Sequence, residues 1–124
     1  MKPTLSRILA VDDDQAFVEL VRNFFASYGI DVVGAKTGGE AVERMKAHPF
    51  AVVLLDYRLP LMDGHDVIAL LQKINPLARF IVVSGVIEED VEEKFKGLGY
   101  MSFFEKGKLH LQDLLQAVKT ALHS

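Results

Sequence analysis

The sequence predicts an α/β fold, a doubly wound five-stranded parallel sheet in the order 2-1-3-4-5 with five helices around it. Three observations carry that prediction. Short apolar runs alternate five times with segments whose apolar residues recur every three or four positions, as strands do with amphipathic helices. The runs 8–11, 51–55 and 80–83 are apolar without interruption, which suits strands buried on both faces. The runs 30–33 and 101–104 carry Asp31 and Ser102 and are therefore assigned to the edges of the sheet.

In chain order, Ile8-Leu9-Ala10-Val11 forms the first strand and stops at Asp12-Asp13-Asp14. Phe17, Leu20, Val21, Phe24, Phe25 and Tyr28 then mark one helical face, with Asp14 as its N-terminal cap and Gly29 closing it. After the second strand, Thr37 and Glu40 have capping-box spacing, and Ala41, Val42 and Met45 carry the second helix to His48-Pro49. The central strand runs from Ala51 to Leu55 and ends at Asp56. A loop with Arg58 and Pro60 follows, and Asp63-Gly64 start the third helix, whose apolar stripe is Val67, Ile68, Leu70, Leu71 and Ile74. The fourth strand ends at Ser84-Gly85. A charged fourth helix is expected over 88–96, anchored by Val91 and Phe95. The fifth strand ends at Glu105-Lys106-Gly107, and Leu111, Leu114, Leu115, Val118 and Leu122 form the stripe of a closing helix.

Composition bounds the function. The 124 residues fit a single domain, 1–124, with half of them hydrophobic and a net charge of -3. That balance offers no electrostatic footprint for nucleic acid. No apolar stretch reaches the roughly 18–20 residues of a membrane span. The absence of cysteine excludes disulfides, thiolate metal sites and cysteine nucleophiles, and with no signal-type N-terminus a cytoplasmic location is expected. The four histidines do not cluster in sequence, so a histidine metal site is not expected.

In a parallel sheet every strand ends on the same rim, and four of the five deliver chemistry there: Asp12 and Asp13, Asp56, Ser84, and Lys106. Clustered carboxylates repel one another and call for a cation. An oxygen-only donor set favours a hard ion, Mg²⁺ or Mn²⁺. Such an ion and Lys106 would offset phosphoryl charge, Ser84 would donate to a phosphoryl oxygen, and a carboxylate nucleophile would form an aspartyl-phosphate.

The segments Ile8-Leu9-Ala10-Val11-Asp12-Asp13-Asp14, Leu54-Leu55-Asp56-Tyr57-Arg58-Leu59-Pro60-Leu61-Met62-Asp63-Gly64, Val82-Val83-Ser84-Gly85 and Phe103-Phe104-Glu105-Lys106 together resemble the receiver domain of two-component response regulators, a flavodoxin-like fold. The resemblance covers the chain from about Arg7 to Leu122. It implies a phosphorelay signalling domain, not a metabolic enzyme, whose own chemistry is self-phosphotransfer and slow autodephosphorylation. Asp56 would accept the phosphoryl group from a phosphohistidine of a histidine kinase or histidine phosphotransfer protein. Asp13, Asp56 and the backbone carbonyl of Arg58 would bind Mg²⁺, with Asp12 acting through water. Ser84 would be the switch hydroxyl, Lys106 the paired lysine and Phe103 the switch aromatic. Arg58 and Val86 would tune the lifetime of the phosphoryl group. The responding surface would be the fourth helix, fifth strand and fifth helix, open to a downstream protein target, a fused effector domain or a second copy of the chain. Neither nucleic acid nor membrane is an expected direct partner.

Two features depart from the family pattern. Gly107 replaces the proline that usually follows the lysine, and Phe103 has no phenol hydroxyl. Two other readings compete. A haloacid-dehalogenase-type phosphohydrolase would use Asp12 and Asp14 as nucleophile and acid, but it leaves Asp56 without a role. A pseudo-receiver would bind partners without phosphorylation, despite a full set of acidic pair, acceptor, hydroxyl and lysine.

Overall fold

A computed structural model of the chain describes residues 6–85 and 100–123. The elements run β1 (Ser6–Val11), α1 (Gln15–Ala26), β2 (Ile30–Ala35), α2 (Gly38–Ala47), β3 (Val52–Leu55), α3 (Gly64–Ile74), β4 (Arg79–Ser84), β5 (Tyr100–Glu105) and α4 (Leu111–Leu122). Among the described residues there are thus four helices; the further helix expected over 88–96, and Val86, lie outside them. The strands form one sheet in the order β2-β1-β3-β4-β5, every pair parallel, as the polar residues in the edge strands predict.

Alternation along the central strands builds two cores. Leu9, Val11, Val53, Leu55, Phe80 and Val82 meet Met45 of α2 and Ile68 and Leu71 of α3 on one face. Ile8, Ala10, Val52, Leu54, Ile81 and Val83 meet α1 through Val21 and Phe25, and α4 through Leu114 and Val118, on the other. The register between β4 and β5 shifts between Phe80 and Ile81. Beyond that irregularity Phe103 packs with the α2–α3 core and Phe104 with the α1–α4 core.

Helix faces depart from the sequence reading in detail. In α1 the buried residues are Val18, Val21 and Phe25, whereas Leu20 and Tyr28 are exposed. Phe17 and Phe24 are half-buried against the α1–α4 core, and Leu20 and Tyr28 project beyond it. Tyr28, just past the end of α1, reaches α4, where its hydroxyl accepts from Gln112 and the Lys119 ammonium lies 5.1 Å from its ring centre. In α3 Leu70 of the expected stripe is exposed, and in α4 Ala121 joins the core beside Leu114, Leu115 and Val118.

The helix starts follow the capping chemistry. Asp14 accepts from Phe17 N–H at 3.1 Å, Thr37 from Glu40 N–H at 3.1 Å and Asp63 from Asp66 N–H at 2.9 Å. Glu40 does not complete a capping box with Thr37; its carboxylate accepts from Lys36 N–H, one residue earlier. Glycine is required at two joints. Gly29 takes φ 73° to turn the chain from α1 into β2. At Gly64 a Cβ would lie 3.0 Å from Tyr57 Cα, where the N–H of Gly64 donates to the Tyr57 carbonyl at 2.8 Å. That close approach folds the loop after β3 back over the rim of the sheet.

Candidate functional site

The four polar strand ends converge. Three backbone bonds that extend the sheet by one rung fix them: Asp12 N–H donates to the Ala35 carbonyl, Asp56 N–H to Val11, and Lys106 N–H to the carbonyl of Ser84 itself, at 2.7–2.9 Å. The side chains are therefore carried by the sheet and not by mobile loops, which is how a site is held to tight geometry. Asp12 and Asp56 are buried, at 4% and 7% exposure, and Asp13 points outward to solvent.

Asp56 Oδ1 accepts from the Arg58 N–H at 3.0 Å and from the Ser84 hydroxyl at 3.1 Å. Its Oδ2 faces the Lys106 ammonium at 3.4 Å. Lys106 sits closer to Asp12, at 2.8 Å from Oδ2, and 3.7 Å from Asp14 Oδ2, with its side chain 17% exposed. Asp12 Oδ1 in turn accepts from Asp14 N–H at 2.9 Å. The Lys106 ammonium is thus shared among three carboxylates.

That sharing shows in the proton affinities. Burial pushes Asp12 up to about 6; the Lys106 and Asp14 N–H bonds oppose the rise and the Asp56 charge adds to it. For Lys106, burial works against the charged ammonium, but its bond to Asp12 and the charges of Asp12, Asp56 and Asp14 outweigh it and raise the pKa above 10.5. Lys106 is therefore charged at neutral pH, while burial makes Asp12 costly to ionise.

The donor set fits a divalent cation. Asp12, Asp13 and Asp56 each bring a carboxylate oxygen, and these lie within 4.8 Å of one another with no nitrogen or sulfur donor among them. A second group, Asp63, His65 and Asp66, lies exposed at the start of α3, where Asp63 already caps the helix.

The loop after Asp56 folds on itself. Arg58 and Asp63 form an isolated antiparallel bridge, and Met62 N–H donates to the Pro60 carbonyl at 2.8 Å. Leu61 between them takes φ 70° and is 100% exposed. Met62 rests against the start of α2, where a Cβ on Gly38 would lie 2.8 Å from its sulfur. After Lys106 the chain turns tightly, the Glu105 carbonyl accepting from both Lys108 and Leu109 N–H at 3.0 Å. A Cβ at Gly107 would meet nothing within 4 Å, and the backbone there is not left-handed. Replacing Gly107 with alanine is therefore expected to stabilise the protein by about 0.4–1 kcal/mol through the unfolded chain, measured by urea denaturation. A loss of stability would show that this turn uses glycine's freedom.

Comparison with known proteins decides the family. The family model described as response regulator receiver domain matches residues 8–119. The chain belongs to that family. Among curated relatives, the cell cycle response regulator CtrA of Brucella ovis is 28% identical over 94 residues, 76% of this chain and 40% of CtrA, so the match spans less than half of that relative's length. Among solved structures, a CheY-like response regulator receiver domain protein from Methanospirillum hungatei superposes with a TM-score of 0.88 at 28% identity, covering 96% of this chain and 94% of the other. The non-phosphorylated HemR receiver domain of Leptospira biflexa gives 0.83 at 28% identity, with 97% and 94% covered. The response regulator domain of Thermotoga maritima CheB gives 0.84 at 26%, with 97% and 98% covered. This receiver domain is a signalling module, and receiver domains generally bind Mg²⁺. Among its described residues no helix is long and apolar enough to cross a membrane.

Of the residues expected at the site from sequence, Asp12, Asp13, Asp56, Ser84 and Lys106 are brought together at the rim, with the Arg58 N–H on Asp56, and Val86 lies outside the described residues. Phe103 is half-buried on the α2–α3 face. From sequence Asp14 is the cap of α1 or the acid of a hydrolase, and Phe17 belongs to a core stripe; in the structure both face Lys106, whose ammonium lies 3.7 Å from Asp14 Oδ2 and 4.8 Å from the Phe17 ring centre. Asp14 adjoins Asp13 in sequence and Phe17 lies about one helical turn beyond it, which was the available signal.

Proposed function

We propose that this receiver domain is switched by phosphorylation of Asp56. The observation that carries the reading is the surrounding of that carboxylate: buried, with Ser84 donating to one oxygen and Lys106 beside the other. One Asp56 oxygen attacks the phosphorus of a phosphohistidine on a histidine kinase or histidine phosphotransfer protein. The O–P bond forms as the P–N bond breaks, and the imidazole leaves with the electron pair and takes a proton. Lys106 and the Ser84 hydroxyl, released from the free carboxylate, turn to the phosphoryl oxygens.

Asp12, Asp13 and Asp56, with the Arg58 carbonyl, would hold Mg²⁺ (or Mn²⁺), Asp12 acting through water. When bound, the ion supplies charge neutralisation for the phosphoryl oxygens. Ser84 would report the change to Phe103, whose equilibrium depends on packing because it has no hydroxyl. The surface of β5 and its neighbouring helices would then engage a downstream protein or a fused effector domain. Arg58 and Val86 would set how fast water removes the phosphoryl group. A cytoplasmic location and a possible homodimer complete the reading. The hydrolase alternative is disfavoured because Asp14, its would-be acid, is engaged as the helix cap.

Incubation with acetyl phosphate and Mg²⁺, read by intact mass, tests the assignment. The wild type is expected to gain one phosphoryl group, Asp56→Asn to gain none, and Asp12→Asn to gain it more slowly. Labelling that survives Asp56→Asn and vanishes in Asp12→Asn would transfer the role to Asp12.

A further inference from the structure

We infer that Phe17 is a positioning residue, its ring serving as the fixed seat that keeps the Lys106 ammonium over the Asp56 carboxylate. The inference rests on Asp56 as the phosphoryl acceptor. Three carboxylates and one aromatic ring hold the ammonium among the described residues. The ring centre lies 4.8 Å from Nζ, inside the distance at which a cation is attracted to an aromatic face.

The four partners differ in what happens to them during phosphoryl transfer. Asp56 loses its charge at one oxygen when it becomes an acyl phosphate. Asp12 belongs to the acidic trio that fits a divalent cation. Asp14 is half-exposed and 3.7 Å away, so water screens its pull. The Phe17 ring has no proton to exchange and no electron pair to give a metal. Its negative face is therefore unchanged in the free, metal-bound and phosphorylated states.

Lysine needs such a seat because its ammonium rides on a flexible four-carbon stem. When Asp12 and Asp56 change partners, an unseated ammonium would swing to Asp14 or to water. Phe17 itself cannot drift. Its N–H is held by Asp14 Oδ1 at 3.1 Å, and its half-buried ring packs against the α1–α4 core. Asp14 thus fixes the ring through the backbone of the first helical turn.

The test compares Phe17→Leu, Phe17→Tyr and a series with progressively fluorinated phenylalanine at position 17, all in the full chain. Fluorination weakens the negative face of the ring while nearly preserving its size. The first readout is the rate of phosphoryl gain from acetyl phosphate with Mg²⁺. The second is the proton shift of the Lys106 ε-methylene without metal or phosphodonor, which a ring held over it moves upfield. Phe17→Leu is expected to react about five- to tenfold more slowly, Phe17→Tyr to stay within about twofold of wild type, and the fluorinated series to slow in step with the weakened face. The upfield shift should vanish in Phe17→Leu and persist in Phe17→Tyr.

A folded Phe17→Leu that reacts at the wild-type rate overturns the inference. So does a fluorinated series with constant rate, which would reduce Phe17 to packing. A wild type that gains no phosphoryl group overturns Asp56 as acceptor instead, and the Lys106 shift, measured without phosphodonor, still decides whether the seat exists.

Discussion

Without divalent cations, Asp12 is expected to make the protein more stable at pH 5 than at pH 7.5, against the usual trend of acid destabilisation. Its pKa is about 6 in the folded chain and 3.8 when unfolded, so in that window the folded state holds a proton that the unfolded state has released. Stability from this group therefore rises as pH falls through 6 and is complete below 3.8. Between pH 7.5 and 5 the gain comes to about 1 kcal/mol, and across the full window to roughly 3 kcal/mol. Lys106 does not oppose it, because its raised pKa is lost only in the alkaline range, above 10.5.

A divalent cation should act on the same charge. At a hundredfold excess over its Kd it adds about 2.7 kcal/mol at pH 7.5, and less at pH 5, where a protonated Asp12 competes with it. Urea midpoints in EDTA and in MgCl2 at both pH values, for wild type and Asp12→Asn, measure all of this. The asparagine variant should lose the pH-dependent gain while keeping the acceptor for Asp14 N–H. If the two proteins show the same pH slope, Asp12 is not its source.

The largest loss of stability is expected from Phe80→Ala. Phe80 is fully buried at the centre of the α2–α3 core, on a strand flanked by β3 and β5. Truncating a buried phenylalanine costs about 3–5 kcal/mol, because transfer energy is lost and the cavity only partly collapses. Domains of this kind have roughly 5–15 kcal/mol in all, so the variant should unfold at much lower urea. A cost under about 1.5 kcal/mol would mean that the neighbouring side chains refill the space.

The rim of the sheet was legible in the sequence because a strand buried on both faces must be apolar until it leaves the core. Asp12, Asp56, Ser84 and Lys106 each mark the point where that rule stops applying. Strand order followed from the same logic: Asp31 could only lie at an edge, where it pairs with Arg7 at 3.1 Å. Helix faces were less legible. Leu20 and Val18 are equally apolar, and only the docking angle of α1 buries one and exposes the other. The sharing of Lys106 among Asp12, Asp14, Asp56 and the Phe17 ring could not be read at all, since it depends on distances between segments far apart in the chain.

The strand order has a consequence in time. β1 lies between β2 and β3, and β4 joins β3 to β5, so the rim is stitched from positions 12, 56, 84 and 106 along the chain. Such long-range pairings form slowly, after the entropy of closing large loops has been overcome. On the ribosome Asp56 emerges fifty residues before Lys106. A growing chain therefore carries Asp56 well before Lys106, and the rim is complete only once β5 is paired with β4. A fragment that ends before Lys106 would carry Asp56 without the ammonium that lies beside it at 3.4 Å.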